Sequence, residues 1–180
     1  MIYTFMADGC EEIEALAVVD LLRRAGLETV MVSIHEKEYT TGAHDIVIRN
    51  DTMLSAIAPT ADDLLFLPGG GVGTKNLKAC EKLSEMLKAH AAAGGRLAAI
   101  CAAPSALGVL GLLEGKRATS YPGFEDQLKG AVYCTDPVVT DGSITTSRGM
   151  GTAILLGLEL VSLLKDEETA KKLGSAIMMP

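Results

Sequence analysis

The segment "RLAAICAAPSAL", Arg96 to Leu107, sets a cysteine between an apolar run that reads as a buried strand and a small-residue run that reads as a helix start. Pro104 is tolerated in the first turn of such a helix. On a tight strand-to-helix turn, the Cys101 sulfur would lie near unpaired N–H groups and the positive end of the helix dipole. Both lower a thiol's pKa, and the thiolate is the reactive form. Small neighbours leave room for close backbone approach, as a nucleophile elbow needs. A cysteine that merely fills the core is the plain alternative.

Two other stretches bear on that choice. "LPGGG" (67–71) ends an apolar strand in glycines, whose N–H groups suit an anion-binding nest or half of an oxyanion hole. The N–H groups of Gly70 and Ala102 are the natural pair, although glycines after a strand are also ordinary turns. "ADGCEEIE" (7–14) supplies Glu14 next to the apolar Ile13, Leu16 and Ala17, so its carboxyl is expected to point inward. Glu11 and Glu12 read as solvated acids at a helix start. A carboxyl held beside a thiolate has its pKa raised by desolvation and by the like charge. Once protonated, it donates to the sulfur or carries protons in catalysis.

These residues need elements to position them. "IYTFM" (2–6), "ETVMVSI" (28–34), "DDLLFL" (62–67) and "RLAAI" (96–100) read as strands. The helix from Cys10 to Gly26 has acids in its first turn and Arg23 and Arg24 in its last, the order that complements the dipole. Its apolar stripe is predicted through Ile13, Leu16, Val19 and Leu22. "KEYTTGAHDIVIRND" predicts a hairpin turning near Thr41-Gly42, and "PVVT" and "SITTS" a second one joined by Asp141-Gly142. Helices are expected over about 80–93, after Cys101 to about Leu110, and in two late segments, "GMGTAILLGLELVSLL" and "DEETAKKLGSAI". Alternating strands and helices imply an α/β fold with a mostly parallel sheet, helices on both faces and a single domain over 1–180.

Composition narrows the function. With 16 basic against 23 acidic residues and net charge -7, the chain lacks the clustered Lys and Arg that phosphate binding needs, which argues against nucleic acid. No run is long and apolar enough for a membrane span, and the start "MIYTFMADG" shows no signal-peptide pattern, so a cytoplasmic location is expected. Cys10, Cys80, Cys101 and Cys134 are widely spaced, which argues against zinc sites built on close Cys pairs and against disulfides. Cys80 and Cys134 read as packing residues, and His35 and His90 as exposed. Cys10 stands in the loop before the Glu14 helix, facing the same strand ends as Cys101; a Cys10–Cys101 disulfide is weighed against simple packing.

The motifs "ADGCEEIEAL", "DDLLFLPGGGVGTKNL", "AAICAAPSAL" and "TSRGMGTA", in order over nearly the whole chain, resemble the ThiJ/PfpI superfamily, in the branch of the parkinsonism-associated deglycase and YajL. The resemblance implies a flavodoxin-like three-layer sandwich with Cys101 on a nucleophile elbow, Glu14 as its carboxyl partner, and Gly70 and Ala102 as backbone donors. It further implies a homodimer and cofactor-independent glyoxalase or deglycase chemistry on small α-oxoaldehydes or glycated groups, with no metal. A redox sensor or chaperone that signals by Cys101 oxidation is the alternative. In this chain Tyr121 stands where that branch commonly has histidine; it is a poor general base near neutral pH, and a half-buried aromatic is its plain reading. Ala102 replaces the histidine of the peptidase branch, so a Cys-His dyad from adjacent residues is not expected. In relatives the hairpin holding His44 reaches the partner subunit's pocket, which makes His44 and Arg24 candidate pocket residues, each with a plain surface reading as well.

Overall fold

Strand β1 (Ile2–Met6) is buried along its whole length, which only a sheet covered on both faces requires. In the computed structural model, which describes residues 1–179, β1 lies near the middle of a seven-stranded sheet. Numbered along the chain, the other elements are α1 (Glu12–Arg24), β2 (Thr29–Ser33), β3 (Tyr39–Thr41), β4 (Val47–Arg49), β5 (Thr52–Met53), β6 (Leu64–Leu67), α2 (Gly71–Ala79), α3 (Glu81–Ala92), β7 (Arg96–Ile100), α4 (Pro104–Val109), β8 (Arg117–Ala118), β9 (Val132–Tyr133), β10 (Val138–Asp141), β11 (Ile144–Ser147), α5 (Ala153–Leu164) and α6 (Glu167–Ala176). The sheet order is β10-β11-β7-β6-β1-β2-β5. Every pairing in it is parallel except the β10–β11 hairpin, which turns through Asp141-Gly142 as expected. The β3–β4 hairpin also forms, outside this sheet.

The period-2 alternation of strands divides the core. Leu65, Leu67, Leu97 and Ala99 face one layer with Leu83, Leu87 and Leu107 of α3 and α4. Leu64, Phe66, Ala98 and Ile100 face the other, with Val18 and Leu22 of α1 and Leu156 and Leu160 of α5. The chain winds outward from β1 to β2 and β5, then returns to the opposite side of β1 with β6 and β7. The loops after β1 and β6 therefore diverge at a topological switch point, where open α/β sheets place their working groups. Among the described residues, no helix is long and apolar enough to cross a membrane.

Three expectations change. The buried face of α1 is Glu12, Glu14, Ala15, Val18, Val19, Leu21 and Leu22, so the stripe is rotated: Val19 and Leu22 are inside, but Ile13 is 50% exposed. Spacing by threes could not fix the phase, because α1 buries two carboxyls for which other segments supply partners. Helix α2 starts at Gly71, where only a glycine turn was read. Its glycines have poor helix propensity, yet a Cβ at Gly73 would stand 2.6 Å from Cys10 Cα, so packing requires the small residue. His90 is buried rather than exposed, its Nε2 lying 3.1 Å from the Arg96 carbonyl oxygen.

Candidate active site

Cys101 follows β7 with φ of 63°, the left-handed region that a residue with a Cβ rarely adopts. Such a conformation costs roughly 1–3 kcal/mol and persists only where the surroundings over-determine it. Here they do: Cys101 N–H donates to the Ser147 carbonyl at 3.0 Å, and Tyr121 N–H donates to the Cys101 carbonyl at 2.8 Å. This is the sharp strand-to-helix turn expected of an elbow, and it leaves the thiol partly exposed.

Three segments meet at the sulfur: the first turn of α1, the glycines after β6 and the turn after β7. The Gly70 and Ala102 N–H groups both hydrogen-bond to it, as does the Glu14 side chain. Glu14 is 1% exposed, and its Oε2 accepts from Gly69 N–H at 3.0 Å. Gly69 was not singled out within "PGGG", yet a Cβ there would collide with the Glu14 carboxyl and with Cys101 Cβ. Gly70 is required for a different reason: its φ is 90° and a Cβ would strike the Gly9 carbonyl.

The electrostatics differ from the expectation of a depressed thiol pKa. Burial, followed by the Glu14 charge and hydrogen bond, pushes the Cys101 thiol up to about 12 against the Gly70 and Ala102 N–H groups that favour the thiolate. Burial likewise pushes Glu14 up to about 7. Two adjacent buried anions oppose each other, so the pair holds one proton between them. The thiol is raised further than the carboxyl, so that proton rests on the sulfur; its transfer to Glu14 removes the carboxylate repulsion and leaves a thiolate facing three donors. Thiolate character is thus gated by Glu14, not conferred by the helix terminus alone.

The other predicted residues lie at graded removes. Tyr121, 52% exposed, stands beside the elbow through its backbone bond to Cys101, and its ring lies over Gly149. Cys10 is fully buried, with its side chain packed among Met6, Ala15, Val19, Met31 and Ile48, whereas Cys101 packs against the cluster of Ala98 and Ile100. The loop does face the strand ends, but the Cys10 side chain packs in its own cluster, which favours the packing reading over a Cys10–Cys101 disulfide. Arg24 bonds Asp20 at 2.6 Å and sits ten residues beyond Glu14, about 15 Å along the helix. Within one chain it is not brought to Cys101.

His44 is drawn instead to Glu12, which the sequence placed in solvent but which is 1% exposed. His44 N–H donates to Glu12 Oε1 at 2.7 Å, and Nδ1 lies 2.9 Å from Oε2. Burial alone would raise the Glu12 pKa, but the bonds from His44 outweigh it and hold the carboxyl low. This clasp, with Ala43 N–H on the Cys10 carbonyl and Gly9 N–H on that of Thr41, fastens the β3–β4 hairpin to the loop that aims Glu14. Glu11, Glu12 and His44 are also the one group of metal-ligand types that converges among the described residues, with potential ligand atoms within 4.8 Å of one another.

Residues 1–163 match the model of the DJ-1/PfpI family. The chain belongs to the DJ-1/PfpI family. Within it, similarity runs to the DJ-1 branch: the chain is 40% identical over 177 residues, 97% of its length, to Protein DJ-1 homolog A of Arabidopsis thaliana. It spans only 45% and 40% of the lengths of the Arabidopsis homologs A and B. The crystal structure of Drosophila melanogaster DJ-1beta superposes with a TM-score of 0.94 at 33% identity, over 99% of this chain and 97% of that one. A Pyrococcus abyssi protein named a deglycase is 33% identical over 161 residues, covering 88% of this chain and 96% of its own. The seven-stranded, helix-flanked sheet is thus the DJ-1 fold, as the motif resemblance implied.

Proposed function

We propose that this DJ-1/PfpI chain is a cysteine-dependent glyoxalase or deglycase-like enzyme that acts on α-oxoaldehydes or their adducts, drawing on its own side chains and no cofactor. The left-handed Cys101 with its sulfur hydrogen-bonded to the buried Glu14 carboxyl carries this reading. Sulfur adds to the aldehyde carbon of R–CO–CHO, and the proton held by the pair goes to the new oxyanion, which the Gly70 and Ala102 N–H groups face. Glu14, now carboxylate, takes the hydrogen of that carbon as a proton and returns it to the neighbouring ketone carbon. The hydroxyl proton on the first carbon's oxygen passes to the ketone oxygen, so the first carbon is oxidised to a thioester while the second is reduced to an alcohol. Water then cleaves the thioester, releasing R–CH(OH)–COOH and the Cys101 thiol, so the net reaction consumes one water and no external oxidant. The name of the Pyrococcus relative supports extending this to glycated adducts. Incubation of the pure protein with methylglyoxal should yield lactate, and Cys101→Ser should abolish it. No hydroxy acid from the unaltered protein with either methylglyoxal or a bulkier α-oxoaldehyde would remove the enzyme reading.

The working unit is proposed to be a homodimer. Ile13 of α1, Ile154 and Leu155 of α5, and Ile46 and Val47 at the hairpin are 38–61% exposed, an apolar surface that a second copy would cover. Any part for Arg24 or His44 in the pocket rests on that second copy. Sedimentation at micromolar concentration should give about twice the 18.8 kDa chain mass. A monomer would remove both residues from the pocket.

A further inference from the structure

We propose that the site selects α-oxoaldehydes bearing an aromatic or other bulky apolar substituent, seated between Tyr121 and Met150; this rests on the glyoxalase reading above.

The reacting carbons must lie at Cys101 and Glu14, so specificity is set where the substituent leaves them. A cavity of about 400 Å³ lies across Gly149 from them, lined by Tyr121, Pro122, Arg148, Met150, Thr152 and the glycines between them. Tyr121 and Gly149 link it to the chemistry. Tyr121 N–H is bonded to the Cys101 carbonyl. Gly149 forms a corner where a Cβ would stand 3.3 Å from the Tyr121 ring and 3.9 Å from Glu14 Oε1. Ring and carboxyl thus share one glycine.

The lining is chemically one-sided. Tyr121 and Met150 are 52% and 56% exposed, which leaves an aromatic face and a thioether open beside the site. No acid lines the cavity, and the Arg148 guanidinium is turned to the Thr135 carbonyl through Nη1 at 3.1 Å. A volume in the range of whole small-molecule sites far exceeds what a methyl substituent fills. An aryl group would stack on Tyr121 and meet the sulfur of Met150, contacts that aromatic and thioether groups favour.

The test compares phenylglyoxal with methylglyoxal. The ratio of their kcat/KM values should fall about tenfold in Tyr121→Ala and in Met150→Ala, the scale of lost apolar pocket contacts. Tyr121→Phe should keep the ratio, since the ring and not the hydroxyl makes the contact. An unchanged ratio in both alanine variants would overturn the inference and leave the glyoxalase reading intact. If the unaltered protein turned over neither aldehyde, that reading would fail, and the cavity would be judged by binding alone. Ligand-observed NMR should then show mandelate bound at least tenfold more tightly than lactate, with the preference lost in Tyr121→Ala. Equal binding of the two acids would overturn the inference.

Discussion

Glu14→Gln is expected to lower α-oxoaldehyde turnover by about 10²–10⁴-fold, the usual contribution of a positioned general acid–base group, while making the protein more stable above neutral pH. The two effects share a cause. Glutamine keeps an acceptor for Gly69 N–H and a donor for the sulfur but carries no transferable proton. It also removes a titration that opposes folding. Burial raises the Glu14 carboxyl from 4.5 to about 7. The folded state therefore holds a proton that the unfolded chain has released, and stability falls as pH rises through that window. The contribution is fully present below about 4.5 and lost above about 7, a difference of about 3 kcal/mol. Thermal melts should thus show the variant roughly 5–10 °C above the parent at pH 8, relative to their difference at pH 4.5. Full turnover in Glu14→Gln would sink the proton-transfer role. A pH-independent difference in melting temperature would sink the buried charge.

Limiting peroxide is expected to convert Cys101 to sulfinate, stop turnover, and leave Cys10 reduced. Oxidation follows thiolate character and access, and Cys101 combines partial exposure with hydrogen bonds from Gly70, Ala102 and Glu14. Those same donors would hold sulfinate oxygens. Cys10 is sealed in its own apolar cluster; burial raises both thiols to about 12, so access, not ionisation, separates Cys10 from Cys101. Cys134 donates to the Val132 carbonyl at 3.4 Å, and Cys80 packs between α2 and α3. Non-reducing peptide mapping decides the matter. A Cys10–Cys101 disulfide, or equal oxidation of Cys80 and Cys134, would contradict this account. Selective Cys101 sulfinate in a chain with no measurable turnover would favour the redox sensor over the enzyme.

The elbow and the glycine-flanked strand end were legible because each depends on local sequence, a small-residue run after a strand and "PGGG". The inward Glu14 was reached through an apolar stripe at Ile13 that the structure exposes; its burial rests on Gly69 instead. The sheet was legible too, since doubly buried strands such as "IYTFM" and "LLFL" carry no polar alternation. What escaped depends on partners distant in sequence. Glu12 reads as a surface acid until His44, 32 residues away, is seen to satisfy it. Ile13 reads as core until α1 takes the rotation that buries Glu14 against Gly69. Helix α2 escaped because its glycines answer to the backbone of Cys10. The thiol's gating by Glu14 escaped because a helix terminus suggests the sign of one influence on a pKa, not the balance of several.

The three segments that meet at the Cys101 sulfur come from positions 14, 69–70 and 101–102, brought together through the parallel pairings of β1 with β6 and β6 with β7. Such long-range pairings form late, because chain closure precedes any gain from the contact. A chain emerging from synthesis therefore carries Cys101 as an ordinary thiol, with neither the shared proton nor the backbone donors that the proposed chemistry uses. Under the proposed chemistry, reactivity comes with the finished sheet, and the strained residue after β7 works as a built-in certificate of maturation.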